Sequence, residues 1–409
     1  MSRWPVTLRA FRHRDFGLFW VGMLVSVMGT WMQTVAQGWL VLHLVPQNPS
    51  LYLGAVGACG TLPMLLFTLP AGVIADRIRK RNLVMVTQTL AMLQAFVFAY
   101  LVYTNVVRVW HVMVLAAVLG TINAFDMPTR QAMTLELVRR EDALNAVSLN
   151  SSAFNAGRII GPAIAGLLIV EAGIAGCFFI NGLSFLAIIF VLVMIRARPP
   201  AAKMDSGMWE NIREGVSWAK GQPVARALLM FTALSGIFAM PYTTLMPVFA
   251  KNILHTDARG FGFLMSCTGV GALFSALLLT ALGHRWRVGA TVTFGALLFP
   301  VALMVFSRAP VYAAAAPALF LVGMGLMLFN AVSNTMLQTA SPVPLRGRVM
   351  SLRAFVFAGM SPIGAFQIGV VASALGPRTA VAIGAVICLL AALFILWRVP
   401  RLWASEDGL

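Results

Sequence analysis

Acidic residues are scarce in this chain. Only 13 of its 409 residues are Asp or Glu, against 30 Lys and Arg, and charges of both signs together make up 11%. A soluble domain carries about 25% charged residues, so a soluble enzyme is excluded as a first reading. The hydrophobic share of 60% excludes a disordered chain. Cysteine is also sparse. Cys59, Cys177, Cys267 and Cys388 all fall in apolar stretches and none has a CxxC partner, so neither a zinc site nor a disulfide framework is supported. His13, His43, His111, His255 and His284 are scattered without ligand-like spacing. No GxxxxGK[ST] loop is present, which removes an ATP-driven pump. No nucleophile–base constellation suggests an enzyme. No cofactor and no metal are expected.

What the chain has instead is long apolar runs. A spanning helix needs about 20 mainly apolar residues to cross a core of about 30 Å. Twelve such stretches are expected, near 16–45, 52–75, 83–103, 109–127, 144–170, 176–196, 226–250, 260–283, 288–307, 311–338, 349–373 and 379–398. No cleavable leader is expected, because the first apolar stretch is too long for a signal core and no A-x-A site follows it.

The net charge of +17 would suggest a nucleic-acid partner on a soluble domain. Its placement points elsewhere. With the N-terminus in the cytoplasm, 24 of the 30 Lys and Arg fall in cytoplasmic segments, Arg130 and Arg353 being counted among them. Arg108, Lys251, Arg259, Arg308 and Arg378 fall in external loops, and Arg158 lies inside span 5. This asymmetry predicts both termini inside and removes the need for nucleic acid.

The longest polar break divides the spans six and six. It predicts an N-terminal six-helix bundle over 1–198, a cytoplasmic linker over 199–225 and a C-terminal bundle over 226–409. Within the linker, Trp209–Ala219 has helical periodicity with one polar face, which predicts a short interfacial helix. The halves look related. Asn123-Ala124, Gln131, Ser148-Leu149 and Gly161-Pro162 recur in order as Asn330-Ala331, Gln338, Ser351-Leu352 and Ser361-Pro362. Parallel halves of six spans are a transporter architecture with its site between the repeats.

The loop between spans 2 and 3 reads Gly72-Val-Ile-Ala-Asp76-Arg77-Ile-Arg79-Lys80-Arg81. It resembles the signature loop of the major facilitator superfamily, G-x-x-x-D-R-x-G-R-[KR]. Gly72, Asp76, Arg77, Lys80 and Arg81 match, and Arg79 replaces the second glycine. The resemblance implies a gating loop whose acid meets a helix N-terminus, where negative charge is favoured. The corresponding second-half loop, Leu282–Arg287, lacks the acid. Span 5 carries Gly157-Arg158-Ile-Ile-Gly161-Pro162-Ala-Ile-Ala165-Gly166, similar to the G-x-x-x-G-P-x-x-G-G segment of the superfamily's exporters, with Ala165 in place of one glycine. The same small residues would serve close helix packing in any transporter. Segments at Arg14–Phe16, Trp31–Trp39, Asp126–Ala132 and Pro241–Phe249 look like the enterobactin-exporter and macrolide-efflux branch.

Polar residues on the spans supply the candidate substrate cavity. Ser26, Thr30, Gln33 and Gln37 share one face of span 1, and Ser148, Ser151, Asn155 and Arg158 share one face of span 5. Arg158 lies about 14 positions, or roughly 20 Å, into its span. An arginine at that depth costs about 2.5–3.5 kcal/mol on insertion scales and should face a cavity or a partner. The resemblance implies that spans 1, 4, 7 and 10 line the cavity, which adds Asn123, Ser235, Tyr242, Asn330 and Asn334. Each of these also suits a role as interhelical glue. Asp126, near the cytoplasmic end of span 4, is expected to join the gating loop by pairing with its arginines; the other reading is a proton carrier.

These features together predict an all-α membrane protein with the major facilitator fold, working as a monomer in the lipid bilayer of the inner membrane. It would export a small amphipathic molecule by alternating access, with a proton as coupling ion. The alternative on the same fold is an importer or facilitator.

Overall fold

The computed structural model describes residues 6–195, 208–283 and 286–399. The part of the expected linker before residue 208, and His284 and Arg285 of the second-half loop, lie outside the described residues. The elements are α1 (Arg14–Leu44), α2 (Pro49–Arg77), α3 (Lys80–Tyr103), α4 (Val109–Glu136), α5 (Ala143–Met194), α6 (Met208–Gly221), α7 (Pro223–Leu234), α8 (Tyr242–Val248), α9 (Ala258–Leu282), α10 (Val288–Arg308), α11 (Tyr312–Ala340), α12 (Arg346–Leu375) and α13 (Pro377–Arg398). Among the described residues the regular structure is helical only. Eleven helical segments among the described residues are long and apolar enough to cross a membrane.

Three elements differ from the sequence expectation in ways that matter. The loop expected between spans 5 and 6 is a one-residue break inside α5. Gly173 has φ 72° and ψ 176°, a conformation that glycine adopts freely and residues with a Cβ do not. A Cβ built there meets nothing within 4 Å, so a substitution costs conformation and not space. Gly173→Ala should lower stability by about 1–3 kcal/mol without disturbing packing, which thermal unfolding of the purified protein would measure.

The second difference lies in the seventh span. It is two α segments, α7 and α8, each followed by a π turn, Ser235–Ala239 and Phe249–Ile253. Met240 N–H bonds Ser235 O and Leu254 N–H bonds Phe249 O, both at 2.8 Å. Pro241 and Pro247 lack N–H donors, and the wider turns re-route the backbone bonds around them. The third difference is α4, which runs nine residues past the expected end of its span to Glu136. Asp126 and Arg130 therefore sit inside a helix.

The chain folds as two compact units. Unit 1 is Met1–Pro46, Cys59–Met204 and Asp257–Ser266; unit 2 is Gln47–Ala58, Asp205–Thr256 and Cys267–Leu409. By this grouping the start of α2 falls in unit 2 and the start of α9 in unit 1.

In unit 1, α1 lies along both limbs of α5. Phe16, Phe19, Met23 and Val27 of α1 meet Ala146, Ala153, Ile188 and Leu192 of α5 in one buried cluster. The residues ahead of α1 are tied down by polar contacts. Asn145 accepts from Ala10 N–H and donates to Thr7 O, both at 2.8 Å. Arg12 pairs with Glu141 and, at 2.7 Å, with Asp142, which also takes His13 at 2.8 Å. In unit 2, Leu228 and Phe231 of α7 pack with Phe329 and Met336 of α11, Leu352 of α12 and Ile395 of α13. The linker helix α6 lies against α12: Glu214 pairs with Arg348, and a Cβ at Gly215 would stand 2.9 Å from Arg348 O.

Candidate functional site

Unit 1 holds a cavity of about 190 Å³ between α1, α3, α4 and α5. Ser26, Thr30 and Thr34 reach it from one face of α1, Gln88 from α3, and Asn123, Asp126 and Arg130 from α4. Trp31, Phe154 and Phe185 supply apolar wall. The spacing explains the grouping. Asn123, Asp126 and Arg130 follow i, i+3, i+7 and so share one face of α4.

Asp126 is the centre of this cluster. It is 1% exposed. Thr87 Oγ1 donates to its Oδ1 at 2.7 Å and Gln88 Nε2 at 2.8 Å. Arg130, one turn further along α4, places Nε 2.5 Å from its Oδ2. That contact is a close charge pair without hydrogen-bond alignment. Ser26 Oγ donates to Gln88 Oε1 at 2.9 Å and carries the network on to α1. Asp126 stands ten positions before the end of α4, about 15 Å at the helical rise, so the carboxylate sits within a continuous helix and not in a loop. A buried ion pair persists only when both charges stay compensated.

Asp126 therefore does not belong with the gating loop, as its sequence position suggested. Arg130 is its ion-pair partner, and two of the loop's cations are engaged elsewhere. Lys80 Nζ donates to Glu136 Oε1 at 2.6 Å, Arg81 Nε donates to Leu192 O at 2.6 Å, and Arg77 is exposed. Gly72 and Asp76 stand in the last turns of α2; the Asp76 side chain lies outside what the structure describes.

The other candidates divide by what they touch. Asn123 lines the cavity. Gln33 does not. It is 1% exposed, donates to Gln94 Oε1 at 3.1 Å and accepts from Asn181 Nδ2 at 2.7 Å. It is glue between α1, α3 and the second limb of α5. Asn181→Ala would orphan the buried Gln33 acceptor and should cost about 1–3 kcal/mol, read as a lowered melting temperature. Gln37, one turn on, is half-buried, as are Asn155 and Arg158 on α5. Asn155 donates to Ser151 O on its own helix. Ser235 bonds Thr232 O within its own span. Tyr242 is a core residue, 1% exposed, against the Phe306 ring at 6.2 Å. Asn330 and Asn334 both accept from Arg353, a residue that sequence reasoning had placed with the cytoplasmic loop charges.

The glycines of the span 5 motif act in packing. A Cβ at Gly157 would lie 2.7 Å from Val27 Cγ1, and one at Gly161 would lie 2.7 Å from Trp31 Cβ and 2.8 Å from Met28 O. A Cβ at Gly166 would lie 2.5 Å from Ala258 O. Pro162 is buried in the same stretch. These residues bring α5 into backbone contact with α1 and with the start of α9. A second cavity, of about 130 Å³, lies in unit 2 among Gly236, Met240, Thr243, Thr244, Phe357 and Ser361.

The cavity residues Gln88 and Arg130, and Arg353 in unit 2, were not among the sequence candidates. For Arg130 a signal existed: its i, i+4 spacing from Asp126 on a continuous helix. Among the described residues no group of three or more His, Cys, Asp or Glu could hold a metal ion.

A family model described as transmembrane secretion effector matches residues 6–407. The staphyloferrin A transporter of Staphylococcus aureus is 23% identical over 395 residues, 95% of this chain and 98% of its own length. The multidrug efflux pump Tap of Mycolicibacterium fortuitum is 26% identical over 363 residues, 86% of this chain and 88% of its own. The crystal structure of a variant of the peptide transporter POT, in complex with alafosfalin, superposes with a TM-score of 0.76 at 13% identity, covering 96% of each chain. At that identity the likeness is one of fold.

Proposed function

Because the chain belongs to the transmembrane secretion effector family of the major facilitator superfamily, and is a multi-pass transporter of the cell inner membrane, we propose that it exports a small amphipathic molecule in exchange for protons. The observation that carries the coupling is the buried Asp126–Arg130 pair on the wall of the unit 1 cavity. Coupling needs an ionisable group in contact with the transport path, and Asp126 is a buried carboxylate on the wall of a cavity. A proton taken up by Asp126 from outside neutralises it and loosens Arg130. Its release inside restores the pair, so proton and substrate occupy the cavity in alternation.

The rest of the reading follows the superfamily. The two limbs of α5 count as separate crossings, which makes twelve with both termini in the cytoplasm. The two halves alternate access about a central path, and the loop from Gly72 to Arg81 gates it. A drug-like compound, a siderophore or another secondary metabolite would suit an apolar cavity with a few polar groups. Export is supported by the efflux pump among its relatives.

The test is the pH gradient of energised everted vesicles, challenged with macrolides, lipophilic cations and catecholate siderophores. A compound that drains the gradient only when the protein is present is the expected result and names the substrate class. Proton-driven accumulation of that compound by right-side-out vesicles would overturn export in favour of import.

A further inference from the structure

We propose that Arg353, held by Asn330 and Asn334, is an oxyanion-binding residue for a carboxylate on the transported molecule. This rests on the transport reading above and adds to it the chemistry of the substrate.

Arg353 is the eighth residue of α12, about 10 Å along the helix from its start, and is half-buried. Its guanidinium is fixed by α11. Nη1 donates to Asn334 Oδ1, and Nη2 to both the backbone oxygen and Oδ1 of Asn330, all at 3.1 Å. The two asparagines stand one turn apart on one face of their helix. They orient the guanidinium but leave its charge untouched, because amide oxygens are neutral. Among the described residues no carboxylate lies within ion-pair distance of Arg353. Its buried Nε–H has no hydrogen-bond partner either.

The contrast with unit 1 is direct. There a helix-borne arginine, Arg130, has its own aspartate. In unit 2 the arginine is braced only by amides, and one Nη1–H is left over from the bond to Asn334. A desolvated cation without a counter-charge is costly and is retained where it meets a ligand or a path. Nη1 keeps one N–H beyond its bond to Asn334, enough for a single charge-assisted bond to a carboxylate oxygen. The location fits. Phe357 and Ser361 continue the Arg353 face of α12 at four-residue spacing, and both line the unit 2 cavity. An amphipathic acid could thus place its apolar body against Phe357 and Met240 and its carboxylate one turn lower.

Two xanthene dyes of nearly equal shape test this: fluorescein, an anionic carboxylate, and rhodamine 123, its cationic ester analogue. Binding is read by fluorescence anisotropy with the purified full chain in phosphatidylcholine nanodiscs. Wild type should favour fluorescein, and Arg353→Met should shrink the ratio of the two affinities at least tenfold. Asn334→Asp supplies an internal carboxylate to Arg353 and should give the same collapse with a raised melting temperature, which separates loss of the site from loss of the fold. An unchanged ratio in both variants, or no fluorescein binding by folded wild type, overturns the proposal. So does displacement of fluorescein by added phosphatidylglycerol, which would reassign the site to a lipid phosphate. Transport by everted vesicles is scored separately. Arg353-dependent binding without efflux of either dye would sink the export reading and leave the site standing. Efflux with an Arg353-independent ratio would do the reverse.

Discussion

Asp126→Asn should abolish proton-coupled export, with at least an approximately hundredfold loss of the substrate-induced collapse of the pH gradient in everted vesicles, equivalent to about 2.7 kcal/mol. The same substitution should cost stability. It leaves Arg130, whose side chain is 15% exposed, beside a neutral amide, and removing one partner of a buried pair costs about 3–5 kcal/mol. A loss of transport could then be blamed on a damaged fold. The double variant Asp126→Asn with Arg130→Gln separates the two effects. With both charges gone, nothing buried is left uncompensated, and replacing a buried pair by neutral groups is often close to neutral for stability. Its melting temperature should return to near that of wild type while proton coupling stays absent. If the double variant or Asp126→Asn keeps full proton-coupled export, Asp126 is a structural acid and coupling lies elsewhere.

Gly161→Ala should destabilise the protein far more than Gly157→Ala, although both glycines belong to one motif. At Gly161 the added methyl meets Trp31 Cβ at 2.7 Å and the backbone oxygen of Met28 at 2.8 Å. Neither can rotate away, so α1 and α5 must separate. At Gly157 the nearest atom is Val27 Cγ1, the tip of a side chain, which can change rotamer. Overpacking in a rigid place costs about 3 kcal/mol and in an adaptable one about 1 kcal/mol. Melting temperatures and the folded fraction on size-exclusion chromatography would show the difference. Equal losses at the two positions would mean that the close α1–α5 approach is not what the motif maintains.

Much of this protein is written in the order of its residues. The scarcity of charge, the length of the apolar runs and the bias of Lys and Arg determine a polytopic membrane protein, because bilayer thickness sets helix length and the cost of burying charge sets where charge can stand. The Gly72–Arg81 loop and the span 5 glycines carry the superfamily resemblance. Periodicity put Ser26, Thr30, Gln33 and Gln37 on one face of the first span and Ser148, Ser151, Asn155 and Arg158 on one face of the fifth. It could not say what stands opposite either face. Inside a bilayer a polar side chain turns away from lipid whether it meets water, substrate or another helix, so Gln33 and Asn123 look alike in sequence. Packing alone made the first an interhelical clamp and the second a cavity wall. Packing likewise gave Asp126 to Arg130 instead of the gating loop, drew Arg353 from an expected loop into the grip of α11, and made the break before the sixth span a single glycine. The sequence states how polar each helix face is; which face meets which is a property of three-dimensional neighbours, often more than a hundred residues apart along the chain, as Gln33 and Asn181 are.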